Sequence, residues 1–158
     1  MPIVQEMHRM LIEGEVIHAH ETVFQVLHEE GRKATTNSRM WVYCNGKIND
    51  RSNIIFDYHP TRKSENAVRY TLNEKKYLYT FLEDGDVPID NNRAENAIRP
   101  FTVGRKNWLF NNTARGAKCS ALLYSIISTA QANGLDVEKY LTDLFSNSAG
   151  TILLPWND

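Results

Sequence analysis

The hydrophobic positions of the chain change their spacing after about residue 62. Before that point, apolar residues come in short runs rich in β-branched and aromatic side chains, a pattern typical of strands. We predict three strands, at Thr22–His28, Arg39–Cys44 and Asn53–Tyr58, with Val16–His18 able to begin the first. Polar segments that contain glycine separate the runs, which favours an antiparallel meander. A short helix is predicted before the strands, over Val4–Ile12.

From Ser64 onward, apolar residues recur at helical spacing. The first predicted helix of this half runs to the Asp84-Gly85 pair. The next begins after Pro88, where Asp90 or Asn91 can accept hydrogen bonds from the free backbone amides of the first turn. It is predicted to end at Pro100, because a proline disfavours helical geometry in the residue before it.

The remaining segments read as a turn, two helices and a tail. Gly104–Asn107 is predicted to form a turn or short loop. Ala117–Ala132 is predicted to be a core helix stopped by Asn133-Gly134. Its buried face is expected to contain Leu122, Leu123, Ile126, Ile127 and Ala130. Asp136 can cap a last helix, and a loose tail is expected after it.

The order of these elements predicts an α+β fold. We expect a single domain over residues 1–158, strand-rich over 1–62 and helical over 63–148, with 149–158 as the tail. The sequence offers no parallel strand after the meander. The sheet is therefore expected to be small and to leave an edge exposed.

Charge is distributed unevenly along the chain. The 158 residues carry a net charge of −1, yet between Arg93 and Lys118 six cationic side chains oppose only Glu95, a local charge of +5. Contact with a polyanion is therefore expected at one patch, not over the whole surface. The alternative is an ordinary solvated face.

Two further features narrow the class of protein. Cys44 and Cys119 form no CxxC pair, so neither a zinc site nor a disulfide framework is expected. The acidic N-terminus does not resemble a signal peptide, and no apolar run approaches the ~18 residues of a membrane helix. These features predict a cytoplasmic protein without a membrane partner.

Long irregular strings in the chain carry a family resemblance. NNRAENAIRPF and GRKNWLF stand at residues 91–101 and 104–110, and an earlier block contains HAHET at residues 18–22 and ends with IIFDYHPTR. Neither helix propensity nor chance produces such strings. The chain resembles the catalytic domain of bacterial DDE-type transposases of the insertion-sequence sixty-six family.

The resemblance implies a ribonuclease H-like fold in which three carboxylates hold two divalent cations, Mg²⁺ or Mn²⁺. Glu95 matches the third carboxylate. His20 stands where the family has its first Asp, and a neutral imidazole is a poor magnesium ligand. The stretch with the second Asp is absent between Arg62 and Tyr70, which indicates an internal deletion. The fold is thus expected to be an incomplete ribonuclease H-like one, with metal held by Glu95 if at all.

Other acidic residues offer little replacement for the missing ligands. Asp90 is more simply a helix cap, and Asp57 lies on a different predicted strand from His20. Glu21 adjoins His20 but points to the opposite face of the strand, since side chains alternate.

The cationic patch is expected to contact DNA. Guanidinium groups suit phosphate, and an indole can stack on an unpaired base. The alternatives are that Trp108, Leu109 and Phe110 belong to the core and that Arg93 or Arg99 pairs with a nearby acid. The candidate DNA-binding residues are Arg93, Arg99, Arg105, Lys106 and Trp108.

Three functional hypotheses follow. The first is a protein of DNA transposition that descends from a transposase and is catalytically defective. The second is a non-catalytic fragment that binds DNA ends, a second copy of itself or an intact transposase, and so interferes with transposition. The third is residual metal-dependent nuclease activity that uses Glu95, His20 and a recruited acid.

Overall fold

The protein is a mixed α+β structure with a four-stranded sheet and four helices within the described residues. A computed structural model describes residues 2–13, 16–45, 51–61, 90–146 and 153–156. The helix predicted from Ser64 to Asp84 lies outside them. The described elements are α1 (Pro2–Ile12), β1 (Ile17–His28), β2 (Asn37–Asn45), β3 (Ile54–His59), α2 (Asn92–Trp108), β4 (Phe110–Thr113), α3 (Ala114–Ala132) and α4 (Val137–Ser146).

The first three strands form the predicted antiparallel meander. In the register, His20 of β1 lies opposite Val42 of β2, and Val42 lies opposite Phe56 of β3. The sheet order is β3-β2-β1-β4, and β4 runs parallel to β1 with Gln25 opposite Phe110. The expectation of no parallel strand after the meander is therefore wrong. The sequence FNNT lacks apolar alternation, so β4 depends on its pairing with β1 and not on a pattern of its own.

One face of the sheet packs against α2 and α3. Phe101 of α2 is fully buried at the centre of this core, and its ring meets the edges of Phe24, Trp108 and Tyr124 at centroid distances of 5.6, 5.4 and 5.3 Å. Edge-to-face contacts of this kind add to the stabilisation from burial. Cys44 is also buried here, which raises the pKa of its thiol to about 11.

Helix α3 covers the outer edge of β3 with hydroxyl groups. Ser125 Oγ accepts a hydrogen bond from Phe56 N at 2.8 Å, and Thr129 Oγ1 accepts one from Ile54 N at 3.0 Å. Backbone amides at the predicted exposed edge of the sheet are thus hydrogen-bonded on β3, because hydroxyl groups of α3 take the place of a neighbouring strand. The predicted apolar face of α3 holds for Ile126 and Ala130, whereas Leu123 is 42% exposed.

A second core joins α1, α3 and α4 to residues 153–156. Trp156 is buried in this core, and Tyr140 Oη of α4 donates to Leu153 O at 2.9 Å. Residues 153–156 are therefore packed, contrary to the predicted loose tail. Asn45 and Asn53, both fully buried, donate to the carbonyls of Met10 and Met7 and so fix α1 to the sheet.

Candidate nucleic-acid interface

Helix α2 carries most of the candidate residues and continues through Pro100 to Trp108. The predicted end at Pro100 and the predicted loop at Gly104–Asn107 are both wrong. Pro100 is exposed, so the backbone bond lost at its nitrogen leaves no buried group unpaired, while buried Ile98 and Phe101 hold both sides of the break in the core.

Gly104 brings α2 close to α3. A Cβ atom at this position would lie 2.8 Å from Tyr124 Oη and 3.2 Å from Trp108 Nε1. A side chain at this position would therefore force the Tyr124 or Trp108 ring to shift. Arg105 and Lys106 consequently belong to the last helical turn, not to a loop.

The start of α2 is tied to β1. Asn91 Nδ2 donates to Ala19 O at 2.9 Å, while Asp90 Oδ1 accepts from Asn92 N at 3.2 Å. The predicted capping role is confirmed for Asp90, and Asn91 is an anchor to the sheet instead. Burial lowers the pKa of His18 on β1, and the Arg93 guanidinium lowers it further. The first turn of α2 thus lies over the strand that contains His20.

His20 and Glu95 lie on the two elements that meet at this junction, β1 and α2. Side chains alternate along β1, so His20 shares a face with buried Phe24 and with Thr22, whose Oγ1 lies 3.5 Å from an Arg105 guanidinium nitrogen. Glu95 lies one turn after Asn91 and is exposed.

Glu21 lies on the opposite face of β1, as predicted. Its carboxylate accepts a hydrogen bond from Arg39 at 2.9 Å. Asp57 is also directed to that side of the sheet, where its carboxylate contacts His59 at 2.9 Å. Neither acid is therefore on the face of β1 that carries His20.

The donor set around His20 does not fit two magnesium ions. Across the described ranges, no three His, Cys, Asp or Glu side chains come together in a group able to hold a metal. Magnesium requires an octahedral shell of oxygen atoms, whereas the two elements of this junction offer the imidazoles of His18 and His20 and the exposed carboxylates of Asp90 and Glu95.

The cations of α2 divide between two sides of the helix. Arg93 is half-buried and donates to Ser52 Oγ at 3.0 Å, which fixes α2 to the segment before β3. Positions 95, 99, 102 and 106 recur at helical spacing and form one line on the other side. We call Glu95, Arg99, Thr102 and Lys106 the outer stripe; its two cations are exposed.

The aromatic string after Gly104 also divides between core and surface. Trp108 is partly buried against Phe101, in accord with the core alternative. Leu109 and Phe110 are 66% and 43% exposed, so that alternative is wrong for both. Leu109 has a φ of 59°, which no sequence signal indicates because leucine rarely adopts it.

The chain is similar to proteins of Sinorhizobium fredii whose function is not stated by their names. It is 32% identical to uncharacterized protein y4qI over 75% of this chain and 21% of that protein. It is 35% identical to uncharacterized protein y4hP over 61% of this chain and 19% of that protein. The chain thus spans about a fifth of the length of the curated relatives that it matches.

Neither a solved structure nor a membrane-spanning helix within the described residues adds to this picture. No solved structure matches the chain. No helix in the described part of the protein combines the length and apolar character needed to cross a membrane.

The family comparison gives a positive result. The sequence model of "Transposase IS66 family" matches residues 1–67 and, separately, residues 63–119. The first match includes the strand with His20, and the second includes the helix with Glu95. The chain belongs to the IS66 family of transposases.

Proposed function

We propose that this chain is a DNA-binding, catalytically defective fragment of an IS66 family transposase. The observation that carries the proposal is the docking of α2 on β1 through Asn91 and Ala19. This contact keeps the Glu95 helix on the strand that carries the first-ligand position, and it leaves Arg99 and Lys106 exposed. The family's involvement in DNA transposition supports DNA as the partner, and a cytoplasmic location fits that role.

The fold supports an incomplete ribonuclease H-like domain. Three antiparallel strands are followed by a parallel strand on the other side of β1, with α2 and α3 on one face of the sheet. The two family matches meet at residues 63–67. This position supports an internal deletion between the meander and α2, in the stretch where the second carboxylate is expected.

The residues at the family's metal-ligand positions support a protein that binds DNA without cleaving it. Glu95 matches the third carboxylate, but His20 replaces the first, and neither Glu21 nor Asp57 shares its face. Residual nuclease activity with Mg²⁺ or Mn²⁺ would require a recruited acid beside Glu95. The exposed carboxylate alone is a poor site for a hard dication.

The cations of the outer stripe are suited to the phosphate backbone of DNA. Arg99 and Lys106 lie 7 residues apart on one line of α2, about two turns or roughly 10 Å along the axis. Arg93 and Arg105 are partly engaged with Ser52 and Thr22, so we assign them mainly to the positioning of the helix.

The proposal is tested by the salt dependence of binding to duplex DNA. Each phosphate contact contributes about −0.9 to the slope of log K against log salt. The double variant Arg99→Gln/Lys106→Gln is expected to bind more weakly and to reduce the slope by about 2. An unchanged slope in this variant would exclude the outer stripe as a phosphate-contacting surface.

A matched control removes the same charge elsewhere. Arg9 on α1 and Lys139 on α4 are exposed, and Arg9 forms ion pairs with Glu6 and Glu13. Arg9→Gln/Lys139→Gln is expected to leave the salt slope unchanged. Equal losses in both double variants would point to net charge and not to a defined surface.

A further inference from the structure

We infer that Leu109 and Phe110 form an apolar wedge that contacts bases in locally unpaired DNA, beside the outer stripe. This inference rests on the proposed DNA-binding function and adds the part of the surface that recognises distortion. It replaces the expectation that Trp108 stacks on a base, because the Trp108 ring packs against Phe101 in the core.

The wedge lies at the end of α2 among other exposed side chains. Leu109 and Phe110 are 66% and 43% exposed, and Val103 on the last turns of the helix is 54% exposed. In the sequence, the exposed cation Lys106 stands three residues after Val103 and three residues before Leu109. An alternation of apolar and cationic groups matches the bases and phosphates of an unpaired strand.

The backbone holds Leu109 outward in an unfavourable conformation. Leu109 has φ 59° and ψ −43°, and it is the one non-glycine residue with positive φ in the described part of the chain. Leucine is disfavoured there because of its Cβ atom. Residues in such conformations often mark functional sites.

The support beneath the wedge is well fixed. Leu109 N donates to Arg105 O at 2.8 Å, and Phe110 is paired with Gln25 of β1. Trp108 on one side is anchored in the core. The two apolar side chains therefore project from a rigid corner between a helix and a strand, which lowers the entropic cost of binding.

The surrounding charge favours DNA as the occupant. From residue 96 to residue 135 the chain contains no Asp or Glu, and it contains five cations: Arg99, Arg105, Lys106, Arg115 and Lys118. Arg115 and Lys118 are exposed on the first turns of α3, directly after β4. An apolar corner bounded by cations on both connected helices is complementary to a polyanion with exposed bases.

Distorted DNA is the expected substrate form. A fully stacked duplex must be unstacked before an apolar side chain gains contact, whereas a mismatched or unpaired site has already lost part of its stacking. The wedge should therefore increase affinity for mismatched DNA more than for a fully paired duplex.

The test compares a fully paired duplex with the same duplex carrying unpaired bases at its centre. The variant Leu109→Gly/Phe110→Thr removes both apolar groups, tolerates the positive φ at residue 109 and keeps a strand-forming residue at 110. Wild type is expected to prefer the distorted duplex, and the variant to lose roughly tenfold of its affinity for that probe. Its salt slope should stay that of wild type.

A control variant and a charge variant distinguish failure of the apolar wedge from failure of the DNA-binding function. Phe145→Ser removes another aromatic group, 69% exposed on α4, and should not alter the preference. Arg99→Gln/Lys106→Gln should weaken binding to both probes. If Arg99→Gln/Lys106→Gln binds both probes as tightly as wild type, the DNA-binding function is overturned. If Leu109→Gly/Phe110→Thr still binds DNA and still prefers the distorted duplex as wild type does, only the wedge is overturned.

A measurement on the wild-type protein remains decisive if the variant fails to fold. A 2-aminopurine placed among the unpaired bases should change its fluorescence when wild type binds, because its stacking partner changes. No fluorescence change at saturation would overturn the wedge. Dimerisation of wild type that sedimentation shows and that the single variant Phe110→Thr abolishes would overturn it as well.

Discussion

The inner and outer sides of the segment from α2 to β4 are built from the same irregular string of residues. On the inner side, Ala94, Ile98 and Phe101 are buried against the sheet and α3. On the outer side, Glu95, Arg99 and Lys106 of the outer stripe are exposed. The string that carries the family resemblance therefore combines a packing surface with a polar surface.

The two sides make different contacts. The inner side packs against strands and helices within the described residues. In the proposed function, the outer side would need DNA and further metal ligands, and His20 stands where the family pattern has an Asp. Under that proposal, the chain keeps the packing and the cationic surface of the family without its metal chemistry.

The largest expected effect separates two phenylalanines of this segment. Phe101→Ala should lower the free energy of unfolding by about 3–5 kcal/mol, because the side chain is fully buried. Phe110→Ala should change it by less than about 1 kcal/mol, because the ring is 43% exposed. Urea unfolding of both variants measures the two values. Similar losses would show that Phe110 belongs to the core and would remove the distinction between the two sides.

A pair of glycines provides the next test. Gly104→Ala should destabilise the protein by roughly 1–3 kcal/mol, because the new Cβ would lie 2.8 Å from Tyr124 Oη. Gly116→Ala on α3 is the matched control, since the new Cβ would lie 3.4 Å from its nearest neighbour, Thr113 Oγ1. That variant should be neutral or slightly stabilising because alanine favours helix. Thermal unfolding that ranks Gly116→Ala as the weaker variant would contradict the close approach of α2 and α3.

The smallest effect concerns a pair on the other face of the sheet. The hydrogen bond that the His59 ring donates to the Asp57 carboxylate raises the pKa of His59. A raised pKa stabilises the fold below the unfolded-state value of about 6.5, and this contribution is lost as pH rises through the folded-state pKa. Because Asp57 is half-exposed, the contribution should stay below about 1 kcal/mol.

Asp57→Asn measures that contribution. The stability difference from wild type should be larger at about pH 6 than at about pH 8. DNA binding should be unaffected at either pH, since the pair lies on the side of the sheet away from α2. A pH-independent difference would mean that the ion pair does not stabilise the fold.

Periodicity predicted the meander and the helices α1, α3 and α4, because each has a regular apolar pattern that its own packing satisfies. It failed at Pro100, where burial of Ile98 and Phe101 outweighs a local break in hydrogen bonding. It also failed at β4, whose four residues are ordered by a neighbouring strand. Both errors concern segments whose structure is imposed by tertiary contacts.

The candidate site was predictable as a set of residues but not as a surface. Arg93 and Arg99 were both predicted to bind DNA. In the structure, Arg93 donates to Ser52, whereas Arg99 is exposed. Trp108 and Phe110 stood together in the core alternative, yet Trp108 packs against the core while Phe110 is exposed. The sequence identifies the candidate residues, but the position of α2 on β1 determines which of their side chains are exposed to solvent.

The central claim, a family fold with a cationic surface but without a working metal site, is tested most directly by a cleavage assay. Wild type, His20→Asp and Glu95→Ala are incubated with labelled end DNA of an IS66 family element and Mg²⁺ or Mn²⁺. We expect all three to bind the DNA and none to cleave it, because restoring one carboxylate still leaves the second missing. Cleavage by wild type or His20→Asp that is lost in Glu95→Ala would contradict the claim.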